Sequence, residues 1–282
     1  MKFQSKAPVF LVGCPRSGTT LLQSLLAAHP QIASFPESKF FHYLVPQYEP
    51  RRRFLGLASR QLKPRLEEFF KEEISRPEML QRLPRIPLMS QYTRKFIKIL
   101  QNLAEEQGKS IFLEKTPEHL YHIDYIEKIV PRVRFIHILR NGSDVVASMY
   151  EVTRKYPSWL WRGAWSLDYC IERWIQAVEI SRSHLHKPNH ILIRYEQLVE
   201  DPQTELEKLC EFIGIEFTER MLQDYRVVAK QVSLVEKEPW KASVAGKIQN
   251  ANSQKFYEVF DEEQQQYILK RLSGVSLEDL SL

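Results

Sequence analysis

The chain has 282 residues, with 40 Lys and Arg against 35 Asp and Glu for a net charge of +5. An apolar share of 43% beside 27% charged residues excludes a disordered chain and provides for a real core. Three cysteines, Cys14, Cys170 and Cys210, are too few and too far apart for a disulfide mini-protein and suit a reducing compartment. No apolar run approaches the roughly 18 residues that span a bilayer. The apolar stretch near the N-terminus is short and runs into a turn, so it reads as a strand and not as a signal peptide. The expected setting is cytoplasmic, without a membrane span. The basic excess admits an anionic small ligand, and no Lys/Arg stripe with interleaved aromatics points to nucleic acid.

In chain order, Pro8-Val9-Phe10-Leu11-Val12 reads as a buried parallel strand. Gly13 to Gly18 forms a loop, and Thr19 to His29 a helix with Leu21, Leu22, Leu25 and Leu26 on one face. Ile32 to Phe35 is a short strand that ends at Pro36-Glu37. Residues 38–108 read as short, charged helical pieces broken by prolines, with Arg51-Arg52-Arg53 as a solvated basic face. Further strands are expected at 110–113, 134–139 and 190–195. Helices follow them, to about Val130, through Val145, Val146 and Met149, and from about Asp201 to Phe212. Trp165, Tyr169 and Trp174 fall on an amphipathic helix as core residues. Alternating strands and helices predict an α/β fold with a doubly wound parallel sheet, whose ligand sits at the carboxyl ends of the strands.

Gly13-x-x-x-x-Gly18-Thr19-Thr20 has the spacing of a phosphate loop between a strand and a helix. Consecutive backbone N–H groups and a helix N-terminus there cradle an anion. The chain holds only nine glycines, so two at this spacing argue against a chance turn. Two parts of an ATPase are missing. Thr19 replaces the loop lysine, and the strand at 134–139 ends in Arg140 instead of a metal-binding Asp. Cys14 reads as a small buried residue and His29 as a helix-end histidine.

Pro15-Arg16-Ser17-Gly18-Thr19-Thr20-Leu21-Leu22 resembles the 5′-phosphosulfate loop of the sulfotransferases. That resemblance implies a P-loop-like three-layer domain, 3′-phosphoadenosine 5′-phosphosulfate (PAPS) as co-substrate and no metal. Phe135 to Ser148 resembles the family's 3′-phosphate site, with Arg140 and Ser148 as the grip and with Asn141 and Ser143 where relatives carry Asp and Arg. Arg194-Tyr195-Glu196-Gln197-Leu198-Val199 and Asp201-Pro202 resemble a third family stretch, in which the Tyr lies near the adenine. Trp240 to Lys247 resembles a basic lid, with Lys247 reaching the nucleotide.

His29-Pro30 to Glu37-Ser38 looks like the branch that includes tyrosylprotein sulfotransferases and related bacterial enzymes, which makes Glu37 the general base. Lys115, after a buried strand, supplies charge to the leaving phosphate together with Arg16. The implied site is therefore Glu37, Lys115 and Arg16 for catalysis, with Arg16, Ser17, Gly18, Thr19, Thr20, Arg140, Ser148, Tyr195 and Lys247 on the nucleotide. Residues 1–282 are expected as one domain, with a helical insertion at about 38–108 and a lid region at about 215–282. The acceptor, a small molecule or a peptide, is not legible, nor is the oligomeric state. A P-loop small-molecule kinase and a non-catalytic nucleotide-binding protein are the alternatives. Retention of both Glu37 and Lys115 argues against a mere binder.

Overall fold

A computed structural model describes residues 6–156, 163–233, 238–241, 246, 248 and 254–280. Five strands form one parallel sheet: β1 (Val9–Gly13), β2 (Ile32–Ser34), β3 (Ile111–Lys115), β4 (Arg134–Leu139) and β5 (His190–Arg194), in the order β2-β3-β1-β4-β5. Every pairing is parallel, with Gly13 of β1 beside Ile138 of β4. The chain leaves β1 for the edge strand β2, returns through β3 beside β1, and then crosses to β4 and β5 on the other side, so the connections reverse direction at β1, where a doubly wound sheet opens its ligand crevice.

The apolar runs are continuous because both faces of the sheet are covered. Phe10 and Val12 of β1 join one core with Phe40, Phe96, Phe135, Val146 and Trp174. Val9 and Leu11 face the other, with Leu22, Leu25, Ile136, Ile138 and Leu209. Period-two alternation thus feeds two helical layers, and truncating a fully buried member such as Leu22 to Ala costs about 2–5 kcal/mol.

Two differences from the sequence reading matter to the site. The fifth strand stops at Arg194, and Tyr195 opens a helix, Tyr195–Glu200, ahead of the expected one at Pro202–Ile213. The cause is a change of environment at the sheet edge, where the Tyr195 ring turns onto the phosphate loop. Trp174 is core, as expected, but Trp165 and Tyr169 line the large cleft described below. Tyr169 lies in the first turn of the helix Leu167–His184, and Trp165 stands just before its Ser166 N-cap. No helix among the described residues is long and apolar enough to cross a membrane.

Candidate active site

The loop after β1 turns sharply. Gly13 is fixed by close packing, since a Cβ there would lie 2.4 Å from the Ile138 carbonyl oxygen. Gly18 has φ 92°, and a Cβ on it would meet the Tyr195 ring at 2.3 Å. The two glycines of the motif therefore answer to different neighbours, one to β4 and one to the residue after β5. Gly18 caps the helix Thr19–Ala27 without any side-chain cap, which leaves the first-turn N–H groups facing the cleft. Arg16 adopts φ 74°, a left-handed conformation uncommon outside glycine, and points its guanidinium across the loop. Its Nε donates to Ser148 Oγ at 3.1 Å.

Arg140 leaves β4 nearly buried, 3% exposed. Its guanidinium lies 4.3 Å from the centre of the Tyr195 ring and donates to Asp144 at 3.1 Å. Trp174 Nε1 donates to the Arg140 carbonyl at 2.9 Å and fixes its backbone. Asn141 caps the helix Gly142–Lys155, its side chain accepting from the Ser143 N–H, and its own N–H donates to Glu196 at 2.8 Å. Burial, and then the charge of Arg140, press the Arg16 guanidinium below its ordinary value. Two cations that burden each other in this way are eased by an anion placed between them.

Glu37 follows β2 and is held by three distant segments. Lys115 Nζ donates to its Oε1 at 2.5 Å, and Lys241 Nζ donates to the same oxygen at 2.8 Å. Lys115 Nζ is also 3.5 Å from Thr20 Oγ1 on the phosphate-loop helix. Arg65, buried within the 38–108 segment, donates to the Glu37 carbonyl at 2.6 Å and the Ser38 carbonyl at 2.9 Å. It is itself locked in a two-pronged pair with Glu73. Burial works to raise the Glu37 carboxyl, but Lys115 and Lys241, with Lys39 behind them, hold it well below the ordinary carboxylate range. Burial lowers the Lys115 ammonium to about 8 against the pull of Glu37. Lys241 is raised, because Glu37 and Glu238 outweigh the cost of its burial.

These groups surround one cleft of about 930 Å³. Of the residues expected at the site, Arg16, Gly18, Thr19, Thr20, Glu37, Arg140, Ser148 and Tyr195 line it. Lys115 is fully buried at its floor and reaches it through Glu37 and Thr20. Ser17 is not a lining residue; its side chain is buried in the loop, and its Oγ has no hydrogen-bond partner among the described residues. Lys247 lies outside the described residues. Sequence reasoning assigned no role to Lys241, Arg65 or Glu238. The far wall is aromatic and comes from Tyr43, Tyr121, Trp165 and Tyr169, with Arg173 stacked against the last three. Cys14 is buried, and burial pushes its thiol up to about 12, away from the thiolate form. His29 packs away from the cleft, with Nε2 on the Glu216 carbonyl at 2.9 Å.

The donor set fits a ligand with two separated anionic groups. The uncapped helix, Arg16 and the unpartnered Ser17 Oγ mark one end, and Arg140, whose Nε has no partner, and Ser148 mark the other. The model described as "Sulfotransferase family" matches residues 8–219, and the chain belongs to the sulfotransferase family. Protein-tyrosine sulfotransferase 2 of Gallus gallus is 25% identical over 229 residues, covering 79% of this chain and 55% of that protein. The nodulation protein NoeE of Sinorhizobium fredii is 25% identical over 235 residues, 73% of this chain and 49% of its own length. The chain spans about half the length of these curated relatives. The sulfotransferase domain of the Synechococcus PCC 7002 olefin synthase shares the fold, with a TM-score of 0.61 at 20% identity and 97% of each chain covered. Mouse sulfotransferase SULT7A1, complexed with PAP, matches with a TM-score of 0.52 at 15% identity over 98% of this chain and 86% of its own.

Proposed function

We propose that this chain transfers the sulfuryl group of PAPS to a hydroxyl or amine acceptor, with Glu37 as general base and without a metal. One observation carries the reading: the Lys115 ammonium stands between the Glu37 carboxylate, 2.5 Å away, and the Thr20 hydroxyl, 3.5 Å away. A base and a phosphate loop sharing one buried cation is what in-line transfer between an acceptor and a phosphosulfate requires. PAPS supplies the activated sulfuryl group and departs as adenosine 3′,5′-bisphosphate.

Arg16, Thr19, Thr20 and the loop N–H groups hold the 5′ end, and Arg140 and Ser148 hold the 3′-phosphate. The Arg16–Ser148 hydrogen bond ties the two grips together. Tyr195 stacks on Arg140 and closes the nucleotide side. An anion in the loop competes with Glu37 for the Lys115 ammonium. That competition loosens one of the two clamps on the carboxylate and raises its affinity for the acceptor's proton. Arg65 fixes the backbone from which Glu37 projects. The 38–108 segment and the aromatic wall form the acceptor compartment, and Lys241 and Glu238 belong to the lid. The wall of Tyr121, Trp165 and Tyr169 suits an acceptor whose hydroxyl is borne on or beside a ring.

The test is calorimetry of adenosine 3′,5′-bisphosphate against ATP without added Mg²⁺, followed by an acceptor screen with labelled PAPS across phenols, sugars and alkyl alcohols. Tight, metal-independent binding of the bisphosphate with little ATP affinity is expected. ATP binding that needs Mg²⁺ and ignores a 3′-phosphate would move the kinase reading to first place.

A further inference from the structure

Away from the cleft, the amino end of β5 carries a compact group of side chains, two buried histidines and a half-buried glutamate. Glu127 comes from the helix Ile123–Ile129, His184 ends the helix Leu167–His184, and His190 opens β5. One ligand atom from each lies within 4.8 Å of the others. None of the three lines the cleft. We propose that Glu127, His184 and His190 form a binding site for one zinc-like divalent ion, with the Lys187 ammonium as the internal cation that the metal displaces.

The argument starts from Lys187. Its Nζ donates to Glu127 Oε2 at 2.6 Å and sits 2.9 Å from His184 Nδ1. An ammonium has hydrogens and no lone pair, so His184 Nδ1 must present its own lone pair to the centre of the group. A positive charge is thus already held between a carboxylate and an imidazole acceptor, the donor types that suit zinc. The Lys187 side chain is 29% exposed, so part of it already meets solvent.

His190 Nε2 lies 3.0 Å from Glu127 Oε1 and carries the proton of that hydrogen bond. Behind it, His190 Nδ1 is 2.8 Å from His137 Nε2, and His137 Nδ1 is 3.0 Å from Ser181 Oγ. This relay runs in either direction. When His190 Nε2 turns its lone pair to a metal, His190 Nδ1–H donates to His137 Nε2, and His137 Nδ1–H donates to the serine oxygen. The proton that leaves His190 Nε2 passes to solvent, one proton from solvent replaces the one Ser181 hands to His137 Nδ1, and the Ser181 hydroxyl turns its hydrogen away, so each ring and the serine keep one proton and the count closes. A metal-bound histidine whose second nitrogen is held by such a partner is oriented and made more basic. The bound ion fastens two helices to the edge strand. One of them is the helix whose Trp174 supports Arg140.

The experiment uses tag-free protein and Zn²⁺ alone, competed against a chromophoric chelator, with melting temperature as a second readout. Binding of one ion per chain with a rise in melting temperature is expected. Lys187→Met tightens binding by about tenfold, and His184→Gln loosens it by about 10–100-fold. Glu127→Gln, at a partly exposed side chain, gives the same loss if His184→Gln does not fold. His186→Ala, on the neighbouring exposed residue, leaves binding unchanged. The proposal is overturned if Lys187→Met fails to tighten binding, if His184→Gln and Glu127→Gln bind as the parent does, or if His186→Ala abolishes binding.

Discussion

The two halves of the cleft are built in opposite ways. The half proposed to take the nucleotide draws on short, contiguous stretches: the loop from Pro15 to Thr20, the turn from Arg140 to Ser148, and Tyr195. The half that holds the proposed base centres on a single residue, Glu37, held by Arg65, Lys115 and Lys241 from three parts of the chain. The first half obtains its geometry from strand ends and helix starts, which the parallel sheet sets side by side. The second obtains it from buried ion pairs that exist only once the molecule has closed. In the proposed reaction, local geometry serves for binding and long-range charge serves for proton transfer.

Substitutions on the base side should strike turnover and spare nucleotide affinity, and those on the nucleotide side should do the reverse. The largest effect is expected from Glu37→Gln, which keeps the shape and removes the base. Turnover with labelled PAPS should fall by about 10²–10⁴ while bisphosphate affinity by calorimetry stays nearly unchanged. Near-parental turnover would refute Glu37 as the base. Lys115→Met comes next, with a loss of about 10²–10³ in turnover. The parent should also lose kcat/KM as pH rises above about 8, because Lys115 then sheds the proton that gives it charge. A profile flat from pH 7 to 10 in the parent would detach that limb from Lys115.

Arg65→Met should lower kcat by about tenfold or more through a misplaced Glu37, with nucleotide affinity kept. It should also cost about 3–5 kcal/mol in chemical denaturation, since Glu73 is left buried without its partner. If kcat held while stability fell, Arg65 would be a purely structural anchor. The smallest effect is expected from Tyr195→Leu. Loss of the ring over Arg140 should weaken bisphosphate binding by about 0.5–2 kcal/mol and leave kcat alone. An equal loss in kcat would blur the division between the halves.

The same division explains what could be read in advance. All five strands and the loop helix were legible because an apolar run between turn residues is local information. Glu37, Lys115, Arg16, Arg140, Ser148 and Tyr195 were legible because each stands at a fixed offset from a strand end. Arg65 and Lys241 were not. Nothing in the residues around them distinguishes a buried clamp from a solvated charge, and only the tertiary fold removes them from water. Trp165 and Tyr169 were read as core because helical periodicity cannot say whether an apolar face meets a layer or a cleft.

The Lys241–Glu37 contact joins positions 204 apart in sequence. During synthesis the sheet has all its strands once Arg194 has emerged, whereas Glu37 has both its lysines only after Lys241 follows. At about 5–20 residues per second this interval lasts a few seconds. In it, a growing chain has the strands that frame the phosphate loop while Glu37 still lacks one of its two lysine partners.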